Sequence, residues 1–329
     1  MPKNNEIKHV KLIANPGAGD VSKSSERIEQ VTRHLIELGL EVDVALAKPK
    51  KEAIPIARKA VKKGYDAVIS MGGDGTLGAV IRGIAGSKMK LGIIASGTKN
   101  DIARSLGIPE DLKEACMLIA SGHTRKLDLG QISTKDHKKF PFLMVTTVGL
   151  TATIFPMIKE VPEGKLSGIK EAVATVFNFE TKPTVFLTLD DESKIEVETM
   201  LVTITNTPLI GSKNLVAPHA SLDDGLLDIA VYPNFSKAEL LAYFARTANE
   251  GSVPDGNIQR YRARKIKIKT SPKLDIAAEG IILGRGKASI KVLPAALRVI
   301  APQAGAGVEK PREETADREL PQPISPVSK

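Results

Sequence analysis

Twice in the first third of this 329-residue chain an apolar run ends in a cluster of glycines and hydroxyls and gives way to a helical pattern. Ala67-Val68-Ile69-Ser70-Met71 leads into Gly72-Gly73-Asp74-Gly75-Thr76 and then a helical pattern over Leu77 to Ala85. Leu91-Gly92-Ile93-Ile94-Ala95 leads into Ser96-Gly97-Thr98-Lys99-Asn100-Asp101 and a helix over Asn100 to Leu106. Short apolar runs alternating with helices in this way demand a mostly parallel sheet with right-handed crossovers. Neighbouring strand ends then share one edge, and ligands bind in the crevice beyond it. Glycines at that edge leave backbone N–H groups unshielded, and the next helix points its positive end at the same spot, so each turn proposes a phosphate site. One such turn is explained as well by turn geometry alone. Two converging on a single crevice favour a nucleotide.

The rest of the first part keeps the alternation: a strand from His9 to Ala14, a helix from Ser25 to Gly39 with Ile28, Val31, Leu35 and Leu38 at helical spacing, a strand from Val42 to Ala45, a helix from Glu52 to Lys63, and a helix from Asp111 to Ala120. From about Leu127 strands dominate: Phe142 to Val148, Val185 to Leu189, Ile195 to Thr205, Leu227 to Tyr232, Lys265 to Lys269 and Ala288 to Val292. Strict alternation in Lys265-Ile266-Lys267-Ile268-Lys269 predicts a strand with one wet face. Ser236 with Glu239 three residues on predicts a capping box at a helix start. The expected fold is α/β: a nucleotide-binding domain over 1–128 with a parallel sheet and flanking helices, and an antiparallel, sandwich-like domain over 129–302, whose last strand at 296–302 has the option of returning to the first domain. The stretch 303–329 is rich in Pro, Glu and Ala without apolar periodicity and is expected to be disordered.

Composition bounds the function classes. Hydrophobic residues at 42% and charged residues at 26% describe a globular chain. No apolar run approaches the roughly 20 residues of a membrane span, and the N-terminus lacks a signal-peptide core, so a cytoplasmic protein is expected. The single cysteine, Cys116, sits in a helical pattern and reads as a small buried hydrophobe. The net charge of +9 is concentrated in Lys48-Pro49-Lys50-Lys51 with the helix that follows, and in Arg260 to Lys269. Such runs are either a solvated surface or a patch drawn to an anionic membrane face, where each basic residue contributes about 1 kcal/mol. Nucleic acid is not expected, because only Tyr261 interrupts the second run and no stacking platform is visible.

The two turns, GGDGT and GTKND, together with the opening KLIANPGAG and the later PHASLDDGLLDIAVY, resemble the diacylglycerol kinase catalytic-domain family, which includes bacterial lipid kinases and sphingosine kinases. The likeness runs from about Lys11 to about Pro302. GGDGT alone also occurs in NAD kinases and phosphofructokinases; the ordered set of later motifs narrows the choice. The resemblance implies an NAD kinase/diacylglycerol kinase-like fold, ATP and Mg²⁺ as cofactors, and transfer of the γ-phosphoryl group to a lipid hydroxyl. It places Gly72, Gly73, Gly75 and the Thr76 hydroxyl around the nucleotide phosphates with Leu77 and Gly78 following, and sets Gly97, Thr98, Asn100 and Asp101 opposite. Asn15 would cap the adenine or ribose side, although a plain turn explains it almost as well. Asp74 either holds Mg²⁺ between phosphate oxygens or orients backbone amides. Asp224, with the carbonyls of Ser221 and Leu226, would hold a structural Mg²⁺; an Asp-Gly turn is the alternative.

Three departures accompany the resemblance. The family closes its second domain with Asp-Gly-Glu, whose Asp serves as base toward the lipid; the matching triplet is Glu279-Gly280-Ile281, which implies Glu279 as the base. A one-residue gap would instead match Ala278-Glu279-Gly280 and leave no base. Lys99 stands where the family commonly has Gly, either adding a phosphate contact or crowding a turn that wants φ > 0. The family's threonine near the second strand is missing from Val44-Ala45-Leu46-Ala47. An ATP-dependent lipid kinase is the leading reading, with Asp74 and Glu279 as its catalytic acids. A nucleotide- and lipid-binding pseudokinase and a kinase of a soluble polyol or dinucleotide are its rivals. The implied partner is a lipid at an anionic membrane surface, met from the cytoplasm at the inner membrane face; a homodimer is left open.

Overall fold

The computed structural model describes residues 7–47, 52–150, 152, 179, 183–208, 217, 219–250 and 256–303. The tail expected to be disordered, apart from Gln303, and the basic stretch at 48–51 lie outside them.

The first part is built from β1 (His9–Ala14), α1 (Ser24–Glu37), β2 (Glu41–Leu46), α2 (Ala53–Lys63), β3 (Ala67–Gly72), α3 (Asp74–Ile84), β4 (Lys90–Ala95), α4 (Asp101–Ser105) and α5 (Leu112–Ser121). The strands pair in parallel in the order β2-β1-β3-β4. Every residue of β3 is buried, as a strand covered on both faces requires. α1 and α5 cover one face, with Val31, Leu35, Ala115, Cys116 and Ile119 in their shared core. Cys116 is fully buried and donates weakly to the Val31 carbonyl at 3.9 Å; burial pushes its thiol up to about 11. α2 and α3 cover the other face so closely that a Cβ on Gly83 would lie 2.5 Å from the Ala57 Cβ. α2 stops at Gly64 (φ 76°), the left-handed cap that glycine adopts freely.

The second part contributes β5 (Thr124–Ser133), β6 (Phe140–Phe142), β7 (Val145–Gly149), β8 (Thr184–Leu189), β9 (Ser193–Thr205), β10 (Leu227–Pro233), α6 (Lys237–Glu250), β11 (Gln259–Ala263), β12 (Lys265–Ser271), β13 (Asp275–Ala278), β14 (Ile281–Arg285) and β15 (Lys287–Ile300). Pairing among them is antiparallel, and inward residues such as Val202, Ile204, Ile229, Ile266, Ile268 and Ile290 form one sandwich core. β12 alternates exposed lysine and buried isoleucine over Lys265 to Lys269 and keeps the same alternation of burial through Thr270 and Ser271. The capping box at α6 is formed: Ser236 N–H donates to Glu239 Oε2 at 2.7 Å and Glu239 N–H to Ser236 Oγ at 3.2 Å.

Three elements differ from the sequence expectation. The single strand expected over Phe142 to Val148 is two, β6 and β7, because the Leu143 and Met144 N–H groups donate to a side chain instead of a strand. α3 starts at Asp74 and not Leu77, so Gly73 alone separates strand from helix. The two strands expected at Ala288 to Val292 and at 296–302 are one, β15: after an irregularity between Leu293 and Leu297 it stays paired with β5, and its end takes the option of a return to the first part, joining β4 in parallel through Arg298 and Val299. β5 and β15 thereby thread both parts into one continuous sheet.

Candidate functional site

The two glycine turns meet. A Cβ on Gly97 would lie 2.4 Å from the Gly73 Cα, closer than real Cβ atoms come, so only glycine fits at this contact. Asp74, in the first turn of α3, reaches across it: its Oδ2 accepts from Asp101 N–H at 3.2 Å and its Oδ1 from Ile102 N–H at 3.3 Å. The structure thus aims the Asp74 carboxylate at backbone amides, one of its two expected roles. Asn100 closes the second turn by accepting from Gly97 N–H (3.0 Å) and donating to the Gly97 carbonyl (2.7 Å). The left-handed residue of this turn is Asn100, at φ 51°. Lys99 is exposed and outside the positive-φ region, so the expected crowding does not arise.

Behind the turns, Thr76 is buried and its hydroxyl accepts from Asn15 Nδ2 at 3.2 Å, while Asn15 Oδ1 accepts from Gly17 N–H at 3.0 Å. A Cβ on Gly72 would meet the Thr76 Oγ at 2.6 Å. The Thr76 hydroxyl therefore stiffens the turn from within, and Leu77 is a core residue. Gly75 has open space around its Cα and Gly78 is half-buried. Thr98 lies on a cleft of about 720 Å³ formed with Gly19, Gly97, Asn100 and two residues the sequence reading missed, Arg27 and Arg104. Arg27, on α1, becomes a neighbour of the turn only through the fold, whereas Arg104 lies on α4, which opens directly from the turn.

Glu279 lies on the far side of α3. With Gly280 it forms the two-residue turn between β13 and β14, both at positive φ (53° and 72°). Its Oε1 accepts from Leu143 N–H at 3.0 Å and from Met144 N–H at 2.7 Å, the bonds that separate β6 from β7. Its charge also acts on Arg82 in the last turn of α3: burial pulls the Arg82 guanidinium below its ordinary value, and the Glu279 carboxylate opposes the shift. Arg82 lies over the Phe140 ring at 5.2 Å. Ile281, half-buried, packs against the sandwich core.

The residues expected to hold Mg²⁺ do not fit a cation as arranged here. Asp224 supplies the only carboxylate of the set; its Oδ1 accepts from Leu226 N–H at 3.0 Å and its Oδ2 from the Arg262 guanidinium. Among the described residues no group of three or more His, Cys, Asp or Glu side chains could hold a metal. The residue that organises this loop is one sequence reading passed over. Asp128, buried on β5, accepts from Gly225 N–H (2.6 Å) and Ala295 N–H (2.7 Å), its N–H donates to the Leu222 carbonyl (2.6 Å), and its carbonyl accepts from Asn206 Nδ2 (3.0 Å). An acid between Leu127 and Leu129, both core residues, was its signal, since a buried carboxylate needs partners.

Two family profiles match the chain: the diacylglycerol kinase catalytic domain over residues 9–132, and the YegS C-terminal NAD kinase beta sandwich-like domain over 148–301. A diacylglycerol kinase of Mycobacterium tuberculosis is 28% identical over 306 residues, covering 92% of this chain and 98% of that protein. One of Bacillus subtilis is 26% identical over 284 residues, covering 83% and 90%. The crystal structure of a Bacillus anthracis diacylglycerol kinase superposes with a TM-score of 0.69 at 24% identity, covering 90% of this chain and 98% of that one; yeast NADH kinase complexed with NADH gives 0.52 at 12%, covering 91% and 85%, and both are likenesses of fold.

Proposed function

The chain belongs to the diacylglycerol kinase catalytic-domain family, and from that premise we propose that it is an ATP-dependent lipid kinase acting on a diacylglycerol-like hydroxyl. The observation that carries the nucleotide half is the glycine-on-glycine contact of Gly73 and Gly97, stapled by Asp74. It leaves two strand-end turns with bare backbone on one crevice, as phosphate binding asks. Phosphoryl transfer needs mainly positioning and charge neutralisation, and Arg27, Lys99 and Arg104 supply cations beside the turn. The lipid oxygen forms a bond to the γ-phosphorus as the bond to the β-phosphate oxygen breaks, and the hydroxyl proton leaves to a base. Mg²⁺ is proposed as the companion of ATP, with no step assigned to it. Turnover of diacylglycerol, a sphingoid base and a soluble polyol under Mg²⁺-ATP tests this reading: phosphorylation of the lipid alone is expected, and of the polyol alone would overturn it.

A second reading, a nucleotide-binding pseudokinase, is favoured by one observation: one of the two Glu279 carboxylate oxygens already accepts two backbone amides. Glu279→Gln separates the two, because glutamine keeps an oxygen for those amides and loses the charge. If Glu279 is the base, turnover falls on the order of 100-fold or more while ATP affinity holds. If the parent is inactive toward every lipid while binding ATP, the pseudokinase reading stands.

The proposed partner is an anionic bilayer, approached peripherally from the cytoplasm; no helix among the described residues is long and apolar enough to cross a membrane. Support comes from the outer face of the sandwich, where Lys269 of β12 directly opposes Lys287 of β15, while Lys265 and Lys267 pair with Asp191 at 3.4 and 2.6 Å. Like charges directly opposite cost stability unless an anion meets them. Sedimentation with anionic vesicles should fall steeply with salt; equal binding to neutral vesicles would overturn it.

A further inference from the structure

We infer that Arg262 is a built-in counter-ion for the 221–228 segment, so that this loop forms and holds without a divalent metal. Arg262 Nη2 bonds Asp224 Oδ2, and its Nε lies 3.3 Å from Asp228 Oδ1. The placement is set by strand register: Arg262 on β11 directly faces Asp228 on β10, so the guanidinium is delivered beside the loop by the ladder that carries it. Each Asp224 oxygen already accepts a hydrogen bond, one from Arg262 and one from Leu226 N–H, so a metal there would share its oxygen with a bound cation or an amide. Other groups of the loop are also engaged by protein. Asp128 holds Gly225 N–H and donates to the Leu222 carbonyl, Ser221 Oγ donates to Asp223 Oδ1 at 2.7 Å, and Arg125 lies 3.7 Å from Asp223.

The physical case rests on what each cation needs. A divalent magnesium requires near-octahedral oxygen ligation and keeps several waters, and a fixed positive charge bonded to its only carboxylate repels it. A guanidinium is always charged, planar and forked, and suits the bridging of a carboxylate in the turn before β10 and one on β10 itself. A single side chain thus offsets part of the charge of Asp224 and Asp228 without an exchangeable ion. The segment it holds runs from the loop on Asp128 into β10.

The test uses the full chain without nucleotide, after chelator treatment, and reads thermal unfolding and Mn²⁺ binding by electron paramagnetic resonance. The parent is expected to bind no Mn²⁺ and to keep its Tm when Mg²⁺ is added. Arg262→Gln is expected to lower the Tm by about 2–4 °C. Should that variant not fold, Asp224→Asn, which removes the partner of Arg262 but leaves an oxygen for Leu226, is expected to show the same loss. Stoichiometric Mn²⁺ binding by the parent that disappears in Asp224→Asn overturns the inference, as does an unchanged Tm in the variant that folds. No arm reads phosphoryl transfer, so its failure leaves the lipid-kinase reading where it stands.

Discussion

The turn at Gly73-Asp74 and the turn at Glu279-Gly280 use the same device in opposite backbone states. In each, a carboxylate beside a glycine reaches out of its own segment and accepts two amides from another: Asp101 and Ile102 for Asp74, Leu143 and Met144 for Glu279. At the first, the acid sits in a regular helical turn, where its charge complements the α3 dipole, and glycine is required only because two backbones touch. At the second, the acid itself is left-handed at φ 53°. Such two-residue turns favour Asn or Asp before Gly, and a longer side chain there costs on the order of 1 kcal/mol. The extra methylene of Glu is offset by its bonds to two amides, since hydrogen bonds to a charged group contribute roughly 1.5–3 kcal/mol each. The Gly73–Gly97 turn is thus shaped by what must be absent, a Cβ, and the Glu279–Gly280 turn by how far its acid must reach.

Four experiments sharpen or break this contrast. The largest effect is expected from Gly97→Ala, whose methyl would drive into Gly73; ATP affinity by calorimetry should fall on the order of 100-fold, while Gly75→Ala, with open space around it, should stay within a few-fold. Equal losses in both would mean that the turn recognises ATP by something other than the glycine contact. Next comes Glu279→Ala, which leaves the Leu143 and Met144 amides without their acceptor: a stability loss of about 1–3 kcal/mol in denaturant titration is expected, against little change for Glu279→Gln. A silent alanine variant would remove the stapling role. Asp74→Asn keeps one acceptor of two and should cost about 1 kcal/mol or less. If it instead abolished turnover with stability and ATP affinity intact, Asp74 would belong to the chemistry and not to the staple.

The smallest effect lies away from both turns and serves as their control. Tyr65 donates to Asp43, which holds the Asp43 carboxyl below its ordinary value and pushes the Tyr65 hydroxyl up to about 12. A depressed acid contributes stability above its unfolded value and loses it as pH falls through the folded one. A raised phenol contributes below its unfolded value near 10 and loses it as pH climbs toward about 12. Asp43→Asn should therefore move the phenolate absorbance transition of Tyr65 down toward its ordinary value and leave ATP affinity untouched. A transition that stays put would show that the pair is not formed in solution.

Much of the first part was legible because its information is local. Apolar runs, glycine punctuation and helical spacing lie within a few residues of the elements they specify, and β3, β4, α1 and α2 stand within one or two residues of where the sequence puts them. The β12 alternation and the Ser236–Glu239 capping box are local in the same sense. What tertiary structure alone decided involves pairs far apart in the chain. The Glu279 carboxylate breaks one expected strand into two by taking amides 135 and 136 residues away. Asp128 ties Gly225 to Ala295, and β5, paired on both sides of the irregularity at Leu293 to Leu297, merges two expected strands into one. Arg262 looked like one charge in a basic run; only the β10–β11 register puts its guanidinium on Asp224. Periodicity in a sequence reports which face of an element is buried, but a carboxylate or guanidinium declares its partner only when folding brings a donor or an opposite charge within about 3 Å of it.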